Sequence, residues 1–131
     1  MPRSSAVARP DLKIYTEILR MEPDEVVRGL VAILGKKMTA YFAQVKDTRT
    51  IDAWMEPGRP ADEARRLDFG RLRLALRIAR LLAANDSNAT VQAWFGGLNP
   101  EIGDRNPAEL LRLGQDDEAV LGAARAFVSG G

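Results

Sequence analysis

The chain has 131 residues, 46% apolar and 28% charged, with a net charge of +1, values that suit one globular domain or two very small ones. It contains neither cysteine nor histidine, which excludes disulfides and thiolate metal sites and removes the commonest general base and zinc ligand together. Apolar runs stay well below the roughly 18 residues of a membrane span and "MPRSSAVARP" lacks the apolar centre of a secretory signal, so a cytoplasmic, non-enzymatic protein is expected.

Strand signals are scarce and helix punctuation is dense. "ARPDLKIYTEILRME" sets Leu12, Tyr15, Ile18 and Leu19 at helical spacing, with Asp11 a candidate cap. Pro23 opens "PDEVVRGLVAILGKK", acidic at its start and basic at its end, as the helix dipole prefers. Val26, Val27, Leu30, Ile33 and Leu34 form its apolar face, and Gly35 is the expected terminator. Two short segments follow, "MTAYFAQV" and "DTRTIDAWM", before "EPGRP" breaks the chain. The longest predicted helix runs from Pro60 to Ala84. Its stripe of Leu67, Leu74, Ile78 and Leu81, flanked by Leu72, Leu76 and Ala79, predicts a central position in the core. Arg66, Arg73, Arg77 and Arg80 recur on another face, read as solvated or ion-paired.

After "NDSN" comes a short helix, "ATVQAWFGG". Asn-Pro then occurs twice, at 99–100 and 106–107. The residue before proline avoids the helical region, so the first pair closes one element. Asn106, Pro107 and Glu109 have the chemistry of a capped restart. Leu110, Leu111 and Leu113 are expected to pack that helix, and Gly114 to end it. The final helix, "DDEAVLGAARAFV", is expected to bury Val120, Leu121, Ala124 and one of Phe127 and Val128. Charge is segregated along the chain. Residues 59–83 hold seven arginines against three acids, a net +4, whereas residues 84–131 hold three arginines against seven acids, a net −4. Such asymmetry suits two surfaces with different partners, or two ordinary solvated faces.

The stretch "VQAWFGGLNPEIGDRNPAELLRLGQDDEAVLGAARAF", residues 91–127, closely resembles the toxin-binding domain of the Xre/MbcA/ParS antitoxins. The matching elements are Trp94, Asn99-Pro100, Gly103, Pro107, Leu110-Leu111, Gly114 and Val120-Leu121. "LGKKMTAYFAQVKDTRTIDAWMEPGRP" is more loosely similar to that family's helix-turn-helix, with Ala40 at the helix contact and Thr50-Ile51-x-x-Trp54 ending the recognition helix. Its turn, Gln44-Val45-Lys46, has no glycine, and Asp47, Asp52 and Glu56 place acids where phosphates would lie.

The resemblance implies an all-α fold of about seven helices: an N-terminal arm and helix over 1–22, a degenerate helix-turn-helix region with a long central helix over 23–86, and a small toxin-binding domain over 87–131. It implies an antitoxin whose C-terminal region occludes an NAD-consuming RES-domain toxin, forming a homodimer within a hetero-oligomer and able to repress its own operon through operator DNA. The implied toxin-binding residues are Glu101, Asp104, Arg105, Arg112, Arg125, Phe127 and Val128. Lys46, Arg49 and Thr50 are the candidates for DNA contact. No catalytic residue, cofactor, metal, membrane or small-molecule substrate is expected. A DNA-binding regulator without a toxin and an orphan helical dimerisation module are the alternatives. Trp54, Trp94 and Phe95 read as core, and Asp116-Asp117-Glu118 as the acidic first turn of a helix.

Overall fold

The helix signals read at Pro23, Gly35, Asn106 and Gly114 reappear as helix boundaries in the computed structural model, which describes residues 2–60 and 69–130, with side chains from Asp11 onward. Among these residues there are eight α-helices and no strands: α1 (Pro2–Leu19), α2 (Pro23–Leu34), α3 (Lys36–Ala43), α4 (Thr48–Trp54), α5 (Phe69–Ala83), α6 (Asn88–Gly96), α7 (Pro107–Leu113) and α8 (Asp117–Gly130). The part of the expected long helix over 61–68, with Leu67 and Arg66, lies outside the described residues. None of the described helices is long and apolar enough to cross a membrane.

Pro23 begins α2 inside a capping box formed by Glu22 and Glu25, and Gly35 stops it at φ 88°. Asp47 caps α4 by accepting from the Arg49 amide, and Ser87 caps α6 by accepting from the Thr90 amide. Each such side chain satisfies an amide that has no partner within the helix.

The core gathers on α5, which touches every other helix except α4 closely enough to pack on it. Leu72, Leu76, Ile78, Ala79 and Leu82 are almost fully buried, so this helix is apolar around most of its circumference. A helix of that kind is stable only when enclosed. Each buried leucine contributes roughly 2 kcal/mol. Gly29 brings α2 onto it: a Cβ at that position would stand 3.1 Å from a Leu76 methyl. Phe42 of α3 and Phe95 of α6 meet edge to face at 5.6 Å, and Trp94 stacks perpendicular to Phe95 at 5.2 Å. All three aromatics are buried, as is Trp54, which lies against Phe69. That agrees with the reading of Trp54, Trp94 and Phe95 as core.

Three expectations are corrected. Asp11 is not a cap, because α1 continues back through Pro10 and the Asp11 carboxylate is drawn instead to two arginines. The inner face of α1 is Ile14 and Ile18, while Leu12, Tyr15 and Leu19 remain 61%, 41% and 56% exposed. The helix packs essentially on α5 alone, so only one narrow face is covered. Leu113, the last residue of α7, is also exposed, whereas Val128 rather than Phe127 turns inward from α8.

The arginine face of α5 is not simply solvated. Arg73 donates to the Ile18 and Met21 carbonyls at 2.7 and 3.0 Å, closing the end of α1. Arg77 lies 4.6 Å from the Tyr15 ring centre and pairs with Asp11 at 3.2 Å. Asp11 also receives Arg125 of α8 at 2.6 Å, so one carboxylate joins α1, α5 and α8. Burial alone would raise its pKa; the hydrogen bonds and charges of Arg77 and Arg125 outweigh that effect and hold it below the ordinary aspartate value.

Candidate functional site

The C-terminal face is built around the break between α6 and α7. After Gly96 and Gly97 the chain runs through Leu98 into a loop that turns back on itself. The Asn99 amide donates to the Arg105 carbonyl at 3.0 Å, and the Asp104 amide to the Asn99 carbonyl at 2.9 Å. Asn99 Oδ1 accepts from the Glu101 amide at 2.9 Å, capping a 3-10 turn over Pro100–Ile102. The reversal requires two successive positive φ angles, 71° at Gly103 and 58° at Asp104. Glycine adopts that region freely, and aspartate tolerates it better than most residues. Ile102 is buried and fastens the underside of the loop to the core.

Asn106 braces both ends. Its Oδ1 accepts from the Glu109 amide at 2.9 Å and caps α7, while its Nδ2 donates to the Gly97 carbonyl at 3.1 Å. The two Asn-Pro breaks therefore make a cross-tied platform.

Beside the platform, the end of α8 leaves a groove of about 450 Å³. Trp94 and Ala123, both buried, line it together with the exposed Leu98, Pro100, Glu101 and Phe127. Leu98 is 73% exposed and Phe127 is 38% exposed. The Trp94 indole Nε1 is buried and finds no acceptor among the described residues.

The seven candidate toxin contacts do not form one patch. Glu101 and Phe127 border the groove, and Asp104 sits on the same loop. Arg105 is adjacent but engaged, pairing with Asp116 at 2.8 Å and donating to the Ile102 carbonyl. Val128 packs toward the core. Arg112 and Arg125 hold the protein together elsewhere: Arg112 lies 4.7 Å from the Tyr41 ring centre and donates to the Tyr41 carbonyl at 2.6 Å, while Arg125 holds Asp11. Sequence reasoning missed Leu98. Its signal was available as a large apolar residue stranded between a Gly-Gly helix end and an Asn-Pro turn.

The helix-turn-helix-like segment offers a different surface. Gln44 takes a left-handed φ of 60°, a region that glycine adopts most freely, and the Val45 amide returns to the Ala40 carbonyl at 3.1 Å. Ile51 and Trp54 anchor α4 inward. Outward, Lys46 is exposed in the turn and Thr50 is half-buried. Arg49 is tied to Asp47 at 2.7 Å, with hydrogen bonds from Arg49 holding the Asp47 carboxyl below its ordinary pKa. Asp52 pairs with Lys36 at 2.6 Å. Among the described residues no cluster of acids is arranged to hold a metal; Asp116 faces Arg105, while Asp117 and Glu118 occupy the first turn of α8.

This architecture is an all-α fold with an enclosed central helix and a braced C-terminal loop-and-helix face. No protein-family model matches the chain, and no relative was found among the curated proteins. Among solved structures, the chain is similar to a chain of the M. tuberculosis MbcT–MbcA toxin–antitoxin complex, with a TM-score of 0.63 and 23% sequence identity. The likeness covers 82% of this chain and 94% of that one. The shared fold thus extends well beyond the C-terminal third on which the sequence resemblance was strongest.

Proposed function

We propose that this chain is the antitoxin of a type II toxin–antitoxin pair. It neutralises an NAD-consuming RES-domain toxin by seating its C-terminal face over the toxin's active-site entrance. The single observation that carries this reading is the fold shared with a chain of a toxin–antitoxin complex over most of both molecules. The motif match over residues 91–127 points the same way. In this reading the protein performs no chemistry of its own. A cross-tied loop held between capped helices is already ordered, so little conformational entropy is lost when it is covered. A homodimer within the hetero-oligomer and repression of its own operon belong to the same reading.

A DNA-binding role without a toxin is less well supported. The outward surface of α4 carries Asp52, and the Arg49 charge is matched by Asp47, leaving Lys46 to meet phosphates nearly alone.

The test is to express the product of the neighbouring reading frame and follow NAD consumption while this chain is titrated in. A stoichiometric end point is expected. Undiminished NAD consumption at a molar excess of the folded chain refutes the proposal.

A further inference from the structure

The acidic balance of residues 84–131 becomes sharper at the surface, because each of the three arginines there is held by the chain itself. Arg105 is bound to Asp116 and the Ile102 carbonyl, Arg112 to the Tyr41 ring and carbonyl, and Arg125 to Asp11. Glu101, Asp104, Glu109, Asp117 and Glu118 are exposed, and no ion pair engages any of them among the described residues. The outward charge of this half is therefore carboxylate. Of those carboxylates, Glu101 borders the groove, where Leu98 and Phe127 stand uncovered, and Asp104 follows on the same braced loop.

An apolar slot with an anionic edge selects a complementary occupant. A purely apolar guest would leave the carboxylates without counter-charge, and a purely basic one would leave Leu98 in water. Resting on the antitoxin reading, we infer that the groove receives an apolar side chain of the toxin, borne on an element whose flanking Lys or Arg residues meet Glu101 and Asp104. The apolar contact governs how long the complex lasts, and the charges govern how fast it forms. Arg112 and Arg125 act from within, holding α7 and α8 in place.

The test measures association and dissociation of the full-length chain with the purified RES-domain toxin by surface plasmon resonance at two salt concentrations. Leu98→Asp and Phe127→Ser are expected to weaken binding about tenfold or more, mainly through faster dissociation. The double variant Glu101→Lys/Asp104→Lys is expected to slow association about tenfold at low salt and to flatten its salt dependence. Glu118→Lys, which lines a separate cleft with Arg71, should change affinity by no more than about twofold at physiological salt. Leu98→Ala guards against misfolding, since it keeps an apolar surface residue and should still weaken binding.

Wild-type affinity in both Leu98 variants and in Phe127→Ser overturns the groove while leaving the antitoxin reading intact. Association that is unchanged or faster in the double-lysine variant overturns the basic flank. Absence of any complex with the wild-type chain removes the antitoxin reading and this inference together.

Discussion

Asn106 shows how much one side chain can decide. Its carbonyl oxygen ends the search of the Glu109 amide for a partner, and its amide reaches back nine residues to Gly97. Alanine would lose a helix cap and a loop brace together, at a combined cost of about 2 kcal/mol. Chemical denaturation of Asn106→Ala should show that loss as a lower midpoint with an unchanged slope. Aspartate at the same position would keep the cap but not the brace, so about half of the stability should return. Equal losses for the two variants would mean that the brace alone matters. The cap was readable from the sequence because it spans three residues. The bond to Gly97 was not, since nothing local specifies where a free amide turns.

At the scale of the helix, a common device is a polar side chain from a distant segment closing a carboxyl terminus. Arg73 covers the end of α1, Asn88 and Gln92 cover Ala32 and Ile33 at the end of α2, and Arg28 donates to the Met55 carbonyl just after α4. The ends of α3 and α7 close each other, with Arg112 donating to Tyr41 and Gln44 donating to Arg112. Terminal carbonyls carry the negative end of the helix dipole, so a cation or amide is the natural closure. Arg112→Ala should therefore reduce stability by about 1–2 kcal/mol, through the lost hydrogen bond and the lost stacking on Tyr41. A thermal melt of the isolated chain checks this. An unchanged melt accompanied by weaker toxin binding would return Arg112 to the interface.

This device also marks the limit of sequence reading. Helix starts, glycine stops and the enclosure of α5 follow from periodicity and from pairs within four residues. The α5 arginines read as a solvated or ion-paired face and Arg112 and Arg125 as toxin contacts, because the acceptors chosen by Arg73, Arg77, Arg112 and Arg125 lie 50 residues and more away. The exposed stripe of α1 was hidden for a related reason. Leu12, Tyr15 and Leu19 share a helical flank with correct apolar spacing, and only the position of α5 leaves that flank outside.

The whole molecule is tied at Asp11. The sign of its pH effect follows from its pKa, which is lower in the folded state than the ordinary value of 3.8. A depressed carboxylate contributes fully above its unfolded pKa and loses that contribution as pH falls through the folded value. At neutral pH, Asp11→Asn should cost about 2 kcal/mol, because Arg77 and Arg125 lose a charged acceptor that is largely shielded from water. As pH falls below 3.8 the gap should shrink, and it closes once pH passes below the depressed folded value, where protonation removes the same charge from the wild type. Urea titrations at a series of pH values from 7 down into the acid range would follow the gap as it narrows. A stability gap that persists undiminished in acid would assign the effect to packing.

Translation supplies Asp11 long before Arg125, its partner 114 positions later. Until that codon is read, α1 holds only the half of its clasp that Arg77 provides, and no tie joins it to α8. Translation order thus leaves the seat of α1 on α5 half-fastened until α8 has been made.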